Sequence, residues 1–424
     1  MSSQRSALST QTEALFQRAL QLMPWGTQTN AKRPRAGLEG AEPLFAERAE
    51  GCRFWDTEGR AFIDYRSALG PIILGYRHPA VDEAVRQQLE RGVLFSMASP
   101  VELDVAERLT SIIPGFEQVR FLKTGNTANL AALRLARAFT GRDHIVTCGY
   151  HGHNDWFVAG NVDPSAWYAG KETGVPSALD ALVSRISYGD LDAAEEVFAK
   201  HGGAIAAVIT VPYDWSPTPR PDFLRRLRDL CDRHGALLIF DEVLTGFRIG
   251  LEGARTYFDV MPDLGTFAKA LANGYPLSAY GGRRDVMETL NDVILTTTYA
   301  GDTLSLAAAG AALDVMTSEP VHAHIWAMGR RLMDGFDAAA RDLGFEARAT
   351  GLPPAPQFQL HSSPAIHTQL QIRFYRILLE HGIFPAPQFL INYAHDEAAI
   401  DETVAAMAAA LEKLSSFEVH IANL

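Results

Sequence analysis

Short apolar segments alternate with longer amphipathic segments through the middle of this 424-residue chain, and this alternation restricts the fold more than any other feature. Each apolar segment has the length and the aliphatic content of a buried strand. The predicted strands are VRFLK (119–123), HIVTC (144–148), AIAAVITV (204–211), ALLIF (236–240), DLGTFA (263–268) and LSAYGG (277–282). Helices are predicted between them at 126–141 and 222–235, each ending at a glycine. The pattern is typical of an α/β domain on a largely parallel sheet.

The two ends of the chain follow a different pattern. An amphipathic helix is predicted over 10–22, and strand-like pieces separated by turn signals cover 43–65. Long helices around a few short strands are predicted towards the other end, at 303–317, 320–343, 366–381 and 396–414. We therefore expect a large α/β domain at 66–315 and a smaller C-terminal α+β domain at 316–424.

Composition argues against several classes of protein. The formal net charge of -12 disfavours a nucleic-acid partner, because phosphate binding needs a basic surface. No uncharged apolar stretch reaches the roughly 18 residues that span a bilayer, and the N-terminal segment lacks the form of a secretory signal. The three cysteines, Cys52, Cys148 and Cys231, are widely spaced, which predicts reduced thiols without a disulfide framework or a zinc site. We expect a soluble cytoplasmic protein that binds no membrane and no metal.

Polar residues follow several of the predicted strands. Asp241 comes directly after the strand 236–240, and Lys269 comes directly after the next one. Ligands of an open parallel sheet lie at the carboxyl ends of its strands. Thr124, Gly125 and Asn126 open the helix that follows the first strand, and the unpaired amides of a helix start attract anions.

These groups meet the requirements of chemistry based on pyridoxal 5'-phosphate (PLP). A lysine forms the imine to the cofactor, and Lys269 is the candidate. A carboxylate keeps the pyridine nitrogen protonated, so that the ring withdraws electrons from the carbon beside the amine, and Asp241 is the candidate. The helix that begins at Thr124 can hold the phosphate. Tyr150, which follows the strand 144–148, can lie on the ring.

Six stretches also carry a family resemblance. They are EPLFAERAEGCRFWDTEGRAFIDY, LARAFTGRDHIV, GYHGHND, LLIFDEVLTGFR, DLGTFAKALANGYPLSAYGG and TTTYAGDTLSLAAAGAAL. With these stretches in this order, the chain resembles the class III aminotransferases, in the branch that includes glutamate-1-semialdehyde aminomutase and relatives acting on ketones and sugars. The resemblance runs from about residue 20 to the end of the chain.

The resemblance implies a fold and an activity. The fold is that of the PLP-dependent transferases (aspartate aminotransferase-like, fold type I). It has a large PLP-binding domain with a mainly parallel sheet and a smaller α+β domain built from both chain ends, so that residues 1–65 are the N-terminal part of the small domain. The activity is that of an aminotransferase. A small-molecule amino donor and a keto acceptor use one pocket in turn, which gives ping-pong kinetics.

The resemblance also implies roles for residues around the ring. Lys269 would form the imine and later act as general base and acid, and Asp241 would pair with the pyridine nitrogen. Val243 would pack on one ring face and Tyr150 on the other, with His151 beside the cofactor. His151 and His153 also suggest a metal, but no carboxylate or cysteine set completes such a site.

A second set of implied roles concerns the phosphate. Thr124, Gly125 and Asn126 occupy the phosphate-loop positions, and Thr298 matches a threonine that reaches the phosphate from the neighbouring subunit. The resemblance therefore implies a homodimer with active sites at the subunit interface. Capping of the helix by Thr124 is an alternative role that uses the same geometry.

The chain departs from the family in three places. The loop usually written Ser-Gly-Thr-Glu-Ala is Thr-Gly-Asn-Thr-Ala at 124–128, and the usual Glu-Pro is Val211-Pro212. The stretch GIFPAPQFLINYAHDE has no arginine, although many relatives that take α-amino acids carry a carboxylate-binding arginine there. It is also shorter than in the aminomutase and lacks its glutamate. These differences favour branches that act on keto-sugars or on long-chain amines.

Other basic residues could hold the carboxylate of an amino donor such as alanine or glutamate. The candidates are Lys32, Arg33, Arg35, Arg66 and Arg248. Solvated loop residues are the alternative for the group at 32–35.

Three other functions remain open at this stage. An aminomutase would move the amine within one substrate, a PLP-fold protein without catalysis would act as a binding or scaffold subunit, and a decarboxylase or racemase could use the same cofactor geometry. The presence of both Lys269 and Asp241 argues against the scaffold protein.

Overall fold

The computed structural model describes residues 10–159, 173–215 and 222–421. Its strands are β1 (Ala46–Glu50), β2 (Arg53–Asp56), β3 (Ala61–Asp64), β4 (Gln118–Leu122), β5 (His144–Cys148), β6 (Val183–Arg185), β7 (Ile205–Thr210), β8 (Leu237–Glu242), β9 (Leu264–Phe267), β10 (Ser278–Gly282), β11 (Arg348–Thr350), β12 (Gln357–Gln359) and β13 (Ile383–Phe384).

The helices of the described residues precede, separate and follow these strands along the chain. They are α1 (Thr10–Leu22), α2 (Pro79–Leu89), α3 (Pro100–Ile112), α4 (Gly125–Thr140), α5 (Asp155–Val158), α6 (Leu191–His201), α7 (Phe223–His234), α8 (Ala254–Phe258), α9 (Arg284–Met287), α10 (Thr303–Ser318), α11 (Val321–Asp342), α12 (Pro364–Glu380) and α13 (Glu397–Ile421). No helix in the described ranges combines the length and the apolar character needed to cross a membrane.

The chain forms two compact units. One comprises residues 79–322, and the other joins residues 1–78 to residues 323–424. The predicted domain boundaries after residues 65 and 315 stay predictions, because compactness alone does not define a domain.

The unit of residues 79–322 is built on a seven-stranded sheet in the order β4-β10-β9-β8-β7-β5-β6. The strands from β9 to β6 are parallel to one another, and β10 runs antiparallel to both of its neighbours. The predicted α/β fold on a largely parallel sheet is therefore confirmed. The orientation of β10 has no signature in its sequence, because an apolar strand buried on both faces looks the same in either direction.

Both faces of this sheet are covered, which explains the continuous apolar runs. Alternate residues of each strand point to opposite faces. Ile239 of β8 packs in a cluster with α4 residues, whereas the adjacent Leu238 packs in a second cluster with residues of α6 and α7. As predicted, α4 and α7 are followed by glycines in the left-handed conformation, with φ of 65° at Gly141 and 62° at Gly235.

The other unit is held together by a second sheet. Its order is β1-β2-β3-β13, with β13 parallel to β3. The pairing brings a strand from before the large unit beside a strand from after it. The hydroxyl groups of Tyr65 and Thr403 lie 2.7 Å apart and join the same two segments, and Tyr65 is completely buried.

Candidate active site

The carboxyl ends of β8 and β9 bring the two central candidates to one edge of the sheet. These strands are adjacent and parallel, with Asp241 paired in register with Thr266. Lys269 follows β9 and begins a short turn of 3-10 helix over Lys269–Ala272. Asp241 is only 4% exposed, whereas Lys269 keeps partial access to solvent.

The backbone and the surroundings of Lys269 are both unusual. Its φ is 47°, in the left-handed region, where a side chain costs about 1–3 kcal/mol and persists mainly at functional sites. Burial lowers the pKa of its amine to about 8, which the negative charge of Asp241 opposes and the positive charge of Arg248 reinforces. The neutral fraction of this amine near physiological pH is therefore much larger than that of an ordinary lysine, and the neutral form can accept a proton.

The carboxylate of Asp241 is held by three groups. Its Oδ2 accepts a hydrogen bond from Nδ2 of Asn129 at 2.8 Å and lies 2.7 Å from Nδ1 of His151. Its Oδ1 accepts one from the backbone amide of Val243 at 3.0 Å. Because a carboxylate only accepts hydrogen bonds, Nδ1 of His151 carries the hydrogen. His151 thus contacts Asp241 with its ring, and its own exposed fraction is 1%.

The start of α4 forms the third part of the site. Thr124 caps the helix, since its Oγ1 accepts a hydrogen bond from the amide of Thr127. Gly125 packs against β8 so closely that a side chain there would come within 2.5 Å of a methyl group of Val243. The first amides of the helix have no acceptor within the helix itself, so an anion can bind to them.

The side chain of Asn126 points away from this role. Its Oδ1 accepts hydrogen bonds from the amides of His153 and Asn154, and its Nδ2 donates to Oδ1 of Asn154. The geometry of this side chain therefore gives no support for a side-chain contribution to the phosphate-loop role predicted for Asn126. The backbone amide of Asn126 is the group that remains for an anion.

Tyr150 and Val243, the two side chains predicted to lie on the faces of the cofactor ring, are both accessible. Tyr150 is 46% exposed, and its own ring rests edge-on against Phe157 with centroids 5.4 Å apart. Val243 is partly buried beside Gly125. The residues present fit PLP in their chemistry: an amine with a lowered pKa, a buried carboxylate, a helix start for the phosphate, and an aromatic and an aliphatic side chain for the ring faces.

The basic residues proposed to hold a donor carboxylate differ in their burial and in their contacts. The guanidinium of Arg248 is completely buried and its pKa is lowered to about 10 by burial, so it is placed to act on Lys269 through its charge. Lys32 is exposed, and Arg33 lies over the ring of Trp25 at 3.5 Å. Arg35 is paired with Glu42 at 2.8 Å.

Arg66 differs from Arg35 because it forms no ion pair with a described residue. Its side chain is partly buried over the ring of Phe384, at 5.8 Å, and no carboxylate among the described residues pairs with its guanidinium. Burial and the nearby charge of Arg35 both lower its pKa. A partly buried cation without a counter-ion favours an anion from outside the chain.

Asn129 and Thr266 are further polar residues of the site, and the sequence did not predict them. Both are buried, and Oγ1 of Thr266 donates to Oδ1 of Asn129 at 2.6 Å. The available signal was a single amide on the apolar face of NTANLAALRLA, where Asn129 stands among alanines and leucines. Buried amides need hydrogen-bond partners, so such a position predicts a polar contact without naming it.

Thr298 lies in an exposed loop before α10.

Within the described part of the chain, no group of three or more histidine, cysteine or acidic residues is arranged to bind a metal.

Comparison with known proteins gives consistent matches over nearly the whole chain. The aminotransferase class-III family model matches residues 37–383. Glutamate-1-semialdehyde 2,1-aminomutase of Syntrophobacter fumaroxidans is 36% identical over 414 residues, which cover 92% of this chain and 95% of that protein. The PLP form of the FumI protein of Sphingopyxis sp. MTA144 has a TM-score of 0.88 at 28% identity, covering 96% and 97% of the two chains. An omega-transaminase from Sphaerobacter thermophilus has a TM-score of 0.85 at 28% identity, covering 95% and 97%.

Proposed function

Because the chain belongs to the class-III aminotransferase family, whose solved members bind PLP, we propose that it transfers an amino group from alanine or glutamate to a ketone or aldehyde. The acceptor would be a keto-sugar or the carbonyl form of a long-chain or non-α amine. The observation that carries the proposal is the placement of Lys269 and Asp241 on adjacent parallel strand ends, with the amine pKa lowered to about 8.

Each residue of the proposed site has a separate role. When bound, PLP supplies a ring that withdraws electrons from the carbon beside the amine. Asp241 would hold the proton on the ring nitrogen, and Tyr150 and Val243 would pack against the ring. Lys269 takes a proton from the substrate carbon and returns it at a neighbouring position, which needs the neutral amine that burial favours. The first amides of α4 hold the phosphate.

The first half of the reaction tests the proposal. Adding alanine or glutamate to the purified holoenzyme should abolish the visible absorption of lysine-bound PLP, because the donor's amine passes to the cofactor. The keto acid product should form in equal amount. A later addition of keto-sugars or aldehydes should restore the absorption. Retention of the original spectrum with every amino donor would rule out the proposed transfer.

An aminomutase is the second candidate, and the 36% identity to a glutamate-1-semialdehyde 2,1-aminomutase supports it. Such an enzyme moves the amine within one substrate and needs no keto acid. Turnover of glutamate 1-semialdehyde by holoenzyme without pyruvate or 2-oxoglutarate would favour this candidate over the two-substrate cycle. The absence of an arginine and the short form of the stretch at 382–397 favour the aminotransferase.

Arg66 is the residue we propose to hold the donor carboxylate. The carboxylate of Glu42 accepts hydrogen bonds from the backbone amide and Nε of Arg35. Asp64 accepts hydrogen bonds from the hydroxyl of Tyr76 and the backbone amide of Arg66, and its burial raises its pKa. Both acids favour the charged form of Arg66, but neither forms an ion pair with its guanidinium in the described residues, so a substrate carboxylate is a fitting partner.

Replacing Arg66 with glutamine should raise the KM for alanine or glutamate by about ten-fold or more, because a charge-assisted hydrogen bond is lost. The rate with a primary amine that carries no carboxylate should stay within about two-fold of wild type. Lys200→Gln, a change at an exposed lysine in the last turn of α6, serves as the control. Equal effects on amines with and without a carboxylate would remove Arg66 from this role.

A homodimer is part of the proposal, and exposed apolar side chains around the start of α3 support it. They are Leu89, Val93, Leu94, Phe95, Met97 and Leu103. The loop that carries Thr298 leads to Thr303, whose amide donates to the carbonyl oxygen of Val93. The loop and the apolar residues therefore belong to one surface that a second copy of the chain would cover. Sedimentation of the holoenzyme measures the mass that decides this point.

A further inference from the structure

A chain of buried polar side chains lies behind the carboxylate of Asp241. It runs from Thr266 on β9 through Asn129 on α4 to Asp241 on β8 and His151, and no member is more than 4% exposed. The successive distances are 2.6, 2.8 and 2.7 Å. Asn129 also donates to the backbone oxygen of His151 at 3.1 Å.

The partners of Asn129 fix the orientation of its amide. The carboxylate of Asp241 and the backbone oxygen of His151 can only accept hydrogen bonds, so both require the amino group of the amide on their side. The carbonyl oxygen then faces Thr266, whose hydroxyl donates to it at 2.6 Å. All the polar atoms of Asn129 are thereby used, which rigidifies a buried network.

This arrangement leaves the two oxygens of Asp241 in different situations. Oδ2 receives hydrogen bonds from Asn129 and His151, which use both of its lone pairs. Among the described residues Oδ1 receives a single one, from the amide of Val243. Oδ1 is therefore the oxygen that retains capacity for another donor.

We propose that Thr266 and Asn129 are positioning residues that orient Asp241 so that its Oδ1 is presented to the ring nitrogen of PLP. The proposal rests on the assignment of Asp241 to that nitrogen in the proposed function. Without the hydroxyl of Thr266, the carbonyl oxygen of Asn129 would lose its donor in a buried site. The amide would then shift towards another donor, and the carboxylate of Asp241 would lose its fixed orientation.

The matched test uses Thr266→Val, which keeps the shape of the side chain and suits a strand. We expect the Kd for PLP, measured by titrating the apoprotein, to rise about ten-fold, as for the loss of one buried hydrogen bond. With PLP labelled with ¹⁵N in the ring, the NMR signal should shift towards the unprotonated nitrogen. Thr266→Ser keeps the hydroxyl and should restore both values to near wild type.

A control variant separates positioning from general damage to the sheet. Thr147 on β5 is also buried, and its hydroxyl has no hydrogen-bond partner among the described residues. Thr147→Val should leave both the Kd and the nitrogen signal unchanged. Thermal unfolding of each apoprotein reports stability separately, and Thr266→Ala carries the same test if the valine variant does not fold.

Two results would overturn the proposal. One is a Thr266→Val protein with the Kd and nitrogen signal of wild type. The other is equal weakening in Thr266→Val, Thr266→Ser and Thr147→Val, which would indicate a structural effect only. Failure of the proposed function gives a different result. In that case the wild-type apoprotein would not take up PLP, or the holoenzyme would not transfer an amino group to a keto acceptor.

Discussion

Replacing Lys269 with alanine should reduce turnover by on the order of 10⁴-fold or more, because the variant loses both the covalent attachment of PLP and the group that moves the proton. Alanine leaves the sheet, the carboxylate and the helix start in place, so the protein should still fold and bind some PLP. The measurement is a single turnover with alanine or glutamate, followed by the absorption of the cofactor.

Lys200→Ala is the matched control for this variant. Lys200 is an exposed lysine in the last turn of α6, so its removal should leave turnover at the wild-type level. Reduction with borohydride should trap PLP on wild type and on the control and should fail on Lys269→Ala. Wild-type turnover in Lys269→Ala would end the proposed function.

Replacing Asp241 with asparagine should weaken both the binding of PLP and the rate. Asparagine has the shape of the native side chain, but it carries no charge to hold the ring nitrogen protonated. One of its two terminal atoms is also a donor, which would face the donors of Asn129, His151 or Val243. The loss of a buried charged partner predicts a Kd for PLP about 10²-fold higher, with a comparable loss in rate.

Asp263→Asn separates this effect from the general cost of removing a buried acid. Asp263 stands just before β9 and is 7% exposed. It pairs with Arg228 and Arg283, both at 2.7 Å. The control variant should lose stability and keep its affinity for PLP. An unchanged Kd and rate in Asp241→Asn would remove the role assigned to Asp241.

Much of the fold could be predicted because the local signals agree with one another. The strand β5 was predicted at its observed residues, and α4 and α7 end at the predicted glycines. The order of the strands in the sheet has no local signal. It depends on contacts between segments distant in the chain, and the antiparallel β10 is the clearest case.

The site also combines features that have local sequence signals with features that depend on tertiary contacts. Lys269 and Asp241 could be proposed because each follows an apolar strand, and strand ends of a parallel sheet meet at one edge. The partners of a buried polar group depend on tertiary geometry. Consequently neither the contact from Thr266 to Asn129 nor the turning of Asn126 towards residues 153–154 could be read from the residues alone.

The pairing of β13 with β3 has a consequence for synthesis on the ribosome. Ile63 meets Ile383 in this pair, and the whole large unit is translated between the two. At about 5–20 residues per second, β3 waits for tens of seconds before its neighbour emerges. During that interval Phe62 and Ile63, which are completely buried in the finished protein, have no β13 to cover them. We therefore expect this early segment of the nascent chain to keep an apolar strand without its neighbour until residues 383–384 are translated.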